Sequence, residues 1–367
     1  MAVMGVASIT PAFPKIEQEL NISEQQVGYL ITVFTLPGVF LTPVLGVMAD
    51  RFGRKKILIP SLLLFGIAGF LCFFMRNYHM LLVFRLLQGV GAASIGSLNV
   101  TLIGDFFKGS DRPAAMGYNA SVLSIGTASY PAIGGVLATL GWYFPFVLPV
   151  FAIPIALIAL YSLEGGKPAN SEKLNVYLKK AWDSIKSRRV IIIFVASIFT
   201  FIILYGAYLT YFPFLVDSKF KAAPYVIGIL FSVSSLTTAI TSSQVGKLSA
   251  RFSDKKLLKA AFIIYTISLL IIPIIPKLWF LPIPLILFGI AQGLNIPSLQ
   301  TILTDLAPPE NRAAFMSLNG MVLRLGQTLG PLFMGLVFAL FGLSGVYIAG
   351  AAIAVFMFLL ISYFMTK

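Results

Sequence analysis

Apolar residues run along this chain in blocks of about 20, broken by short polar stretches, with no sustained alternation of apolar and polar positions. About 20 residues is the length an α-helix needs to cross the hydrocarbon of a bilayer. Helix is also the form in which each segment satisfies its own backbone hydrogen bonds away from water, whereas membrane strands would show segments of about 10 residues with strict alternation. The pattern predicts spans at Val27–Ala49, Ile57–Phe74, Leu81–Gly104, Ala114–Leu140 and Tyr143–Leu163. It continues with Val190–Val216, Ala222–Val245, Leu257–Ile275, Leu278–Leu303, Ala313–Phe341 and Val346–Met365. The opening run Met1–Phe13 is too short to span alone; it reads as the outer half of a helix whose beginning is missing, or as a misplaced start codon. An acidic loop, Lys15–Gln26, follows it. With this truncated first helix the count is twelve, as six plus six.

The second six repeat the first. Gly46/Gly246, Arg51/Arg251, Phe52/Phe252, Lys55/Lys255 and Lys56/Lys256 coincide at an offset of 200 residues, as do Gly28/Gly228, Asp105/Asp305, Asn119/Asn319, Gly126/Gly326, Pro131/Pro331 and Gly135/Gly335. An even number of helices per copy makes both copies enter from the same side, giving a parallel repeat about an axis along the membrane normal, an arrangement secondary transporters use. The expected fold is all-α and integral to the membrane, as two six-helix bundles. The expected domains are residues 1–163, a linker at 164–189, and residues 190–367. Within the linker Leu174, Leu178, Ala181, Trp182 and Ile185 share one helical face, predicting an amphipathic helix on the membrane surface.

Composition agrees: 58% of residues are hydrophobic and 11% charged, against about 25% charged in a soluble domain. The net charge of +14 raises the question of a nucleic-acid partner, but 20 of the 27 lysines and arginines fall in loops on one side. That asymmetry is the positive-inside pattern. It predicts cytoplasmic basic loops and a cytoplasmic C-terminus in a plasma (inner) membrane, and no nucleic-acid partner. The single cysteine, Cys72, lies in an apolar run, and the lone His79 in a short loop. Neither belongs to a ligand cluster of the kind a metal needs, so no metal or cofactor is expected. Gly89-x-Gly91 sits inside an apolar span with no strand before it, so it is no nucleotide loop. No membrane-embedded nucleophile–base set or carboxylate pair points to an enzyme.

The residues that carry chemistry are few. In the hinge Gly46–Lys56, Asp50 ends one helix, where a carboxylate meets the helix dipole with the wrong sign. It therefore calls for a partner such as Arg54, with Gly46 and Gly53 allowing close approach. The second copy has Ala250 and Asp254 at those two positions, so the charged lock belongs to the first half alone. Gly46, Asp50, Arg51, Gly53 and Arg54 are thus gating candidates. Arg85 and Arg324 fall inside spans, where a charge is costly and functional by default. All 13 aspartates and glutamates lie in loops or at helix ends, so a proton path would have to use Asp50, Arg85 or a tyrosine network. Two unpaired arginines favour a substrate with negative charge or strong acceptors. Polar cavity candidates are Gln88, Asn119, Gln292, Asn295 and Arg324, with Tyr205 and Tyr208 as aromatic walls for hydrophobic ligands.

Three stretches resemble signatures of the major facilitator superfamily. Gly46-x3-Asp50-Arg51-x-Gly53-Arg54-Lys55-Lys56 resembles its loop between the second and third helices. Arg85-x2-Gln88-Gly89-x-Gly91 is similar to its fourth-helix motif. Gly117-x8-Gly126-x3-Tyr130-Pro131-x2-Gly134-Gly135 resembles the antiporter motif of its fifth helix, with Tyr130 where glycine is usual. Gly126, Tyr130, Pro131, Gly134 and Gly135 are read as a helix-packing motif. Arg324-Leu-Gly-Gln-Thr-Leu-Gly-Pro331 is similar to segments of bacterial twelve-helix multidrug exporters. The resemblance implies alternating access by a monomer and proton-coupled export of drug-like or amphipathic small molecules, with Arg85 in proton coupling. An organic-anion transporter, of a siderophore or carboxylate, is the alternative; a membrane-embedded receptor is a third reading.

Overall fold

A computed structural model of the chain describes residues 3–107, 111–163, 187–307 and 312–364. The described residues are helical, with no strand among them. The first half comprises α1 (Met4–Ala7), α2 (Phe13–Leu20), α3 (Glu24–Phe52), α4 (Arg54–Leu71), α5 (Tyr78–Phe106), α6 (Asp111–Leu140) and α7 (Ala152–Ser162). The second comprises α8 (Arg188–Ile202), α9 (Phe212–Phe220), α10 (Pro224–Phe252), α11 (Asp254–Ile271), α12 (Pro282–Leu306) and α13 (Arg312–Phe364). Ten of the described stretches are long and apolar enough to cross a membrane. The last holds two helices that meet at Gly342, whose φ of 66° breaks the ladder. Most of the expected amphipathic linker helix falls on residues 164–186, outside the described residues.

Local chemistry explains the breaks. Lys15–Gln26 is not a plain loop: α2 occupies its first half, ended by Asn21 in the left-handed conformation at φ 50°. Ser23 then starts α3 with a capping box, its Oγ accepting from the Gln26 amide (3.3 Å) while its own amide donates to Gln26 Oε1 (2.8 Å). Such reciprocal capping satisfies two donors that a helix start leaves orphaned. Between α3 and α4 the whole turn is one residue, Gly53, at φ 99° and ψ 136°. Side chains with a Cβ rarely tolerate that conformation.

The repeat puts Ser253 in the same turn between α10 and α11, at φ 60° and ψ 146°. Strain of about 1–3 kcal/mol is typical of such a conformation outside glycine. Ser253→Gly is therefore expected to stabilise the fold by ~0.5–1 kcal/mol, the relief being partly offset by glycine's freedom in the unfolded chain. A raised thermal unfolding midpoint in detergent is the check; a lowered one means Ser253 makes a contact worth more than its strain.

The two halves are joined along two equivalent seams. α3 packs along the first part of α13, and α10 packs along α6. In the terms of the repeat these are one contact made twice. Inside each half, α5 packs on α3 and α4, and α12 on α10 and α11. The core is apolar and aromatic, with Phe34, Phe65, Phe231, Phe262, Phe288 and Tyr265 fully buried.

Candidate functional site

The seams close only towards one end. Gly135 of α6 faces the backbone of α10, where an added Cβ would stand 2.5 Å from the Pro224 carbonyl, and Gly228 of α10 faces the Pro131 carbonyl in return. Phe13 and Phe214 meet across the halves with ring centroids 6.4 Å apart. On the other seam Thr328 Oγ1 donates to Thr35 Oγ1 (2.9 Å), and Thr32 Oγ1 donates to the Thr328 carbonyl (3.4 Å). Towards the basic loops the contacts stop: around Gly46, Gly117 and Gly246 an added Cβ would meet nothing within 4 Å. Tyr118 and Val122 of α6 are exposed there. The halves therefore meet at the end away from the basic loops and part at the basic end.

Arg324 sits where the α3–α13 seam ends. Its aliphatic stem lies against Gly38, so close that an added Cβ would be 3.0 Å from Cδ. Its Nη1 donates to Gln327 Oε1 at 3.1 Å, and Tyr205 is within electrostatic reach. Among the described residues no carboxylate pairs with it. Tyr205 belongs to a π-helical segment, Ile203–Thr210, in which Gly206 lets the backbone of Gly330 approach. Such π turns often mark functional positions.

Arg85 is different. It is completely buried, so it does not reach for water. Its Nη1 donates to the Gly5 carbonyl (2.8 Å) and to Gln88 Oε1 (2.7 Å), and its Nε donates to the Leu30 carbonyl (3.1 Å). The guanidinium lies over the Phe34 ring, 4.3 Å from its centroid. Nη2 and Gln88 Nε2 have no partner. Arg85 thereby pins α1 and α3 onto α5.

At the basic end Arg54 is the hub. It pairs with Asp50 at 3.6 Å, forms an ion pair with Asp105 on α5, and donates to the Thr101 carbonyl at 2.9 Å. All of these partners belong to the first half. Gly53 supplies the turn, while Arg51 is exposed beside the Phe52 ring. Asp105 was not singled out in the sequence as a partner; its match to Asp305 in the repeat was the available signal.

The remaining candidates separate. Tyr208 stacks on Phe288 with centroids 4.2 Å apart, inside the packed second half. Asn295 is fully buried and accepts from Thr200 Oγ1 (3.1 Å). Gln292 Oε1 lies 3.4 Å from Thr238 Oγ1. Asn119 accepts from Asn99 Nδ2 (2.6 Å) at a cleft of about 610 Å3 near the basic end. Tyr130, in the place of a glycine, lays its ring on Gly126, and Gly134 lets α6 meet the Ser8 backbone. Gln88 is turned towards Gly69 and α4. The structure thus brings Arg324, Tyr205, Thr32, Thr35 and Gln327 to one seam, and leaves Gln88, Tyr208 and Asn295 in packed interior. The threonines had no signal in the sequence beyond their place in apolar spans.

Two parallel-repeat helical halves, joined at one end and parted at the other, with a half-buried arginine where they part, define a polytopic membrane carrier rather than an enzyme. A sequence model of the Major Facilitator Superfamily matches residues 1–222 and 215–367. The chain belongs to that superfamily. It is 28% identical over 345 residues to the "Bacillibactin exporter" of Bacillus subtilis (strain 168), covering 89% of this chain and 85% of that protein. It is 27% identical over 346 residues to "Multidrug resistance protein 1" of the same organism, covering 92% and 87%. Its fold matches a bacterial homolog of the human lysosomal transporter Spinster in an inward-facing, unoccupied conformation, at TM-score 0.82 and 18% identity over 99% of this chain and 94% of that one.

Proposed function

We propose that the protein is a proton-coupled exporter of drug-like or amphipathic small molecules that works by alternating access. The observation that carries this reading is the one-ended seam: two halves in contact at the end away from the basic loops and apart at the other. Rocking residues 1–163 against 190–367 about the Arg324 level would exchange which end is open. In this reading the positive-inside pattern favours a cytoplasmic open end and C-terminus, and the protein works as a monomer in the plasma (inner) membrane. The similarity to multidrug resistance proteins supports export.

Arg54 and Asp50 lie at the open end and are paired within the first half. Ion pairs this exposed contribute only about 0–1 kcal/mol to stability, so a role in which partners are exchanged between states suits them better than a structural one. A second reading, export of an organic anion, is favoured by Arg324, a half-buried guanidinium without a carboxylate partner among the described residues. The similarity to an exporter named for bacillibactin supports it as well.

The test is transport in proteoliposomes with an imposed pH gradient. Uptake into inside-out vesicles driven by the gradient, with proton movement that depends on substrate, is the expected result. Transport indifferent to the gradient and to protonophore would remove the coupled reading. In the same assay Asp50→Asn is expected to slow turnover without changing which compounds are carried; unchanged turnover would take Asp50 out of the gate.

A further inference from the structure

The closed end gathers acids where the sequence shows no membrane-embedded one. Glu24, in the first turn of α3, is half-buried, and its Oε2 is fully enclosed with no hydrogen-bond partner among the described residues. Glu17 of α2 lies near it in the same half, and Asp217 of α9 faces both from the other half; each of the three is within electrostatic reach of the other two. Burial and Asp217 push the Glu17 carboxyl above its ordinary range. Among the described residues no lysine or arginine forms an ion pair with any of them. The nearby ammonium groups bond carbonyls or line the cleft that Asp217 shares, without an ion pair to the three acids. Lys15 donates to the carbonyls of Ala138 (3.1 Å) and Thr139 (3.3 Å), Lys219 to that of Pro273 (2.8 Å), and Lys221 lines the rim of a cleft of about 250 Å3 beside Asp217.

A second observation is independent of these charges. Tyr211 and Tyr347, both from the second half and both completely buried, have hydroxyls without hydrogen-bond partners among the described residues. Glu24 is within electrostatic reach of each. The Tyr211 hydroxyl lies near the start of α3: an added Cβ on Gly335 would stand 3.2 Å from that hydroxyl and 3.8 Å from Gln25 Cγ. The other titratable groups facing this corner are Tyr29 of α3 itself, Tyr78 of α5, which donates to the Gln26 carbonyl at 2.8 Å, and His79, edge-on to the Tyr78 ring.

We infer that Glu24 is a proton-binding site of the gate at the closed end, and that the gate closes over its neutral form. Closing brings Asp217 of one half against Glu17 and Glu24 of the other and takes a Glu24 oxygen out of water. Like charges and desolvation both disfavour that state while all three are ionised. A proton taken from the solution at this end removes the cost and gives the carboxyl a hydrogen that the enclosed oxygen can donate to the Tyr211 or Tyr347 hydroxyl oxygen. On reopening, the proton returns to the same solution unless substrate passage diverts it. This inference rests on the alternating-access reading above.

The experiment places spin labels on Gln18→Cys and Ala223→Cys, exposed positions on opposite halves of the closed end, in full-length protein in lipid nanodiscs. The native Cys72 is buried and stays unlabelled. Distance distributions are recorded from roughly pH 5 to pH 9, a range that brackets a perturbed carboxyl. The short-distance population is expected to dominate at the acid end and to fall several-fold at the alkaline end. Glu24→Gln is expected to keep it high at every pH, while Glu17→Gln narrows the change without abolishing it. A pH-independent wild type, or a Glu24→Gln protein that still opens with pH, would overturn the inference. Transport by the labelled protein separates the two readings. Substrate-driven change in the same distances without any pH response sinks the Glu24 site alone, whereas a distance that nothing changes, in protein that still transports, sinks alternating access.

Discussion

Gly228→Val is expected to abolish transport while leaving the protein folded. The Cβ of any residue at 228 would run into the Pro131 carbonyl of α6, and a backbone carbonyl in a helix has no freedom to move aside. The clash exists only while the two halves touch at the closed end, so the variant can relieve it by staying open there. Gly135, where an added Cβ would stand 2.5 Å from the Pro224 carbonyl across the same seam, is expected to behave the same way. Rates should drop by about two orders of magnitude, as overpacking at the upper end of the ~1–3 kcal/mol range falls on one state of the cycle alone, with ~1.4 kcal/mol equal to tenfold. Thermal stability should change by no more than a few degrees. Gly89→Val is the contrast: its Cβ would strike the Phe34 carbonyl inside the first half, where no state relieves it, and the expected result is loss of folded protein. If Gly228→Val unfolds the protein as Gly89→Val does, the α6–α10 contact is permanent and does not open in a cycle.

How much of this was legible beforehand differs by level. The hydropathy blocks and the fixed offset of the repeat carried the helices, because a span must be apolar whatever its neighbours are. The hinge needed only local chemistry, and Gly53 with Asp50 and Arg54 was readable from four residues. Arg85 could be flagged but not placed: an arginine four residues into a span can bend to water or bond carbonyls, and only the position of Gly5 and Leu30 decides for the second. Thr32, Thr35 and Thr328 carry no signal in a single sequence, since mid-span threonines usually bond their own helix, as Thr35 does to the Ile31 carbonyl at 3.0 Å. Glu24 was hidden by its address. It sits at a helix start, where a carboxylate is ordinary, and becomes unusual only when Asp217 and two tyrosines arrive from the other half.

Arg324 is where substrate selection is expected to change most. Its guanidinium is half-buried at the end of the α3–α13 seam, spends one bond on Gln327, and pairs with no acid among the described residues. Its stem is held by Gly38, so the head cannot easily swing away from where the halves part. A charged hydrogen bond contributes about 1.5–3 kcal/mol, so Arg324→Gln should weaken an acidic substrate by roughly 10- to 150-fold. Lysine keeps the charge and loses the planar fork, so Arg324→Lys should recover part of that loss for a monoanion and less for a substrate that bonds two nitrogens at once. For a cationic amphipathic drug the order reverses: removing a positive charge from the path should leave transport unchanged or improve it. Measuring KM and turnover for one acid and one cation across the three proteins settles which reading of the substrate holds. Equal losses for both compounds would mean that Arg324 serves the seam, through Gln327 and Thr328, and not the substrate.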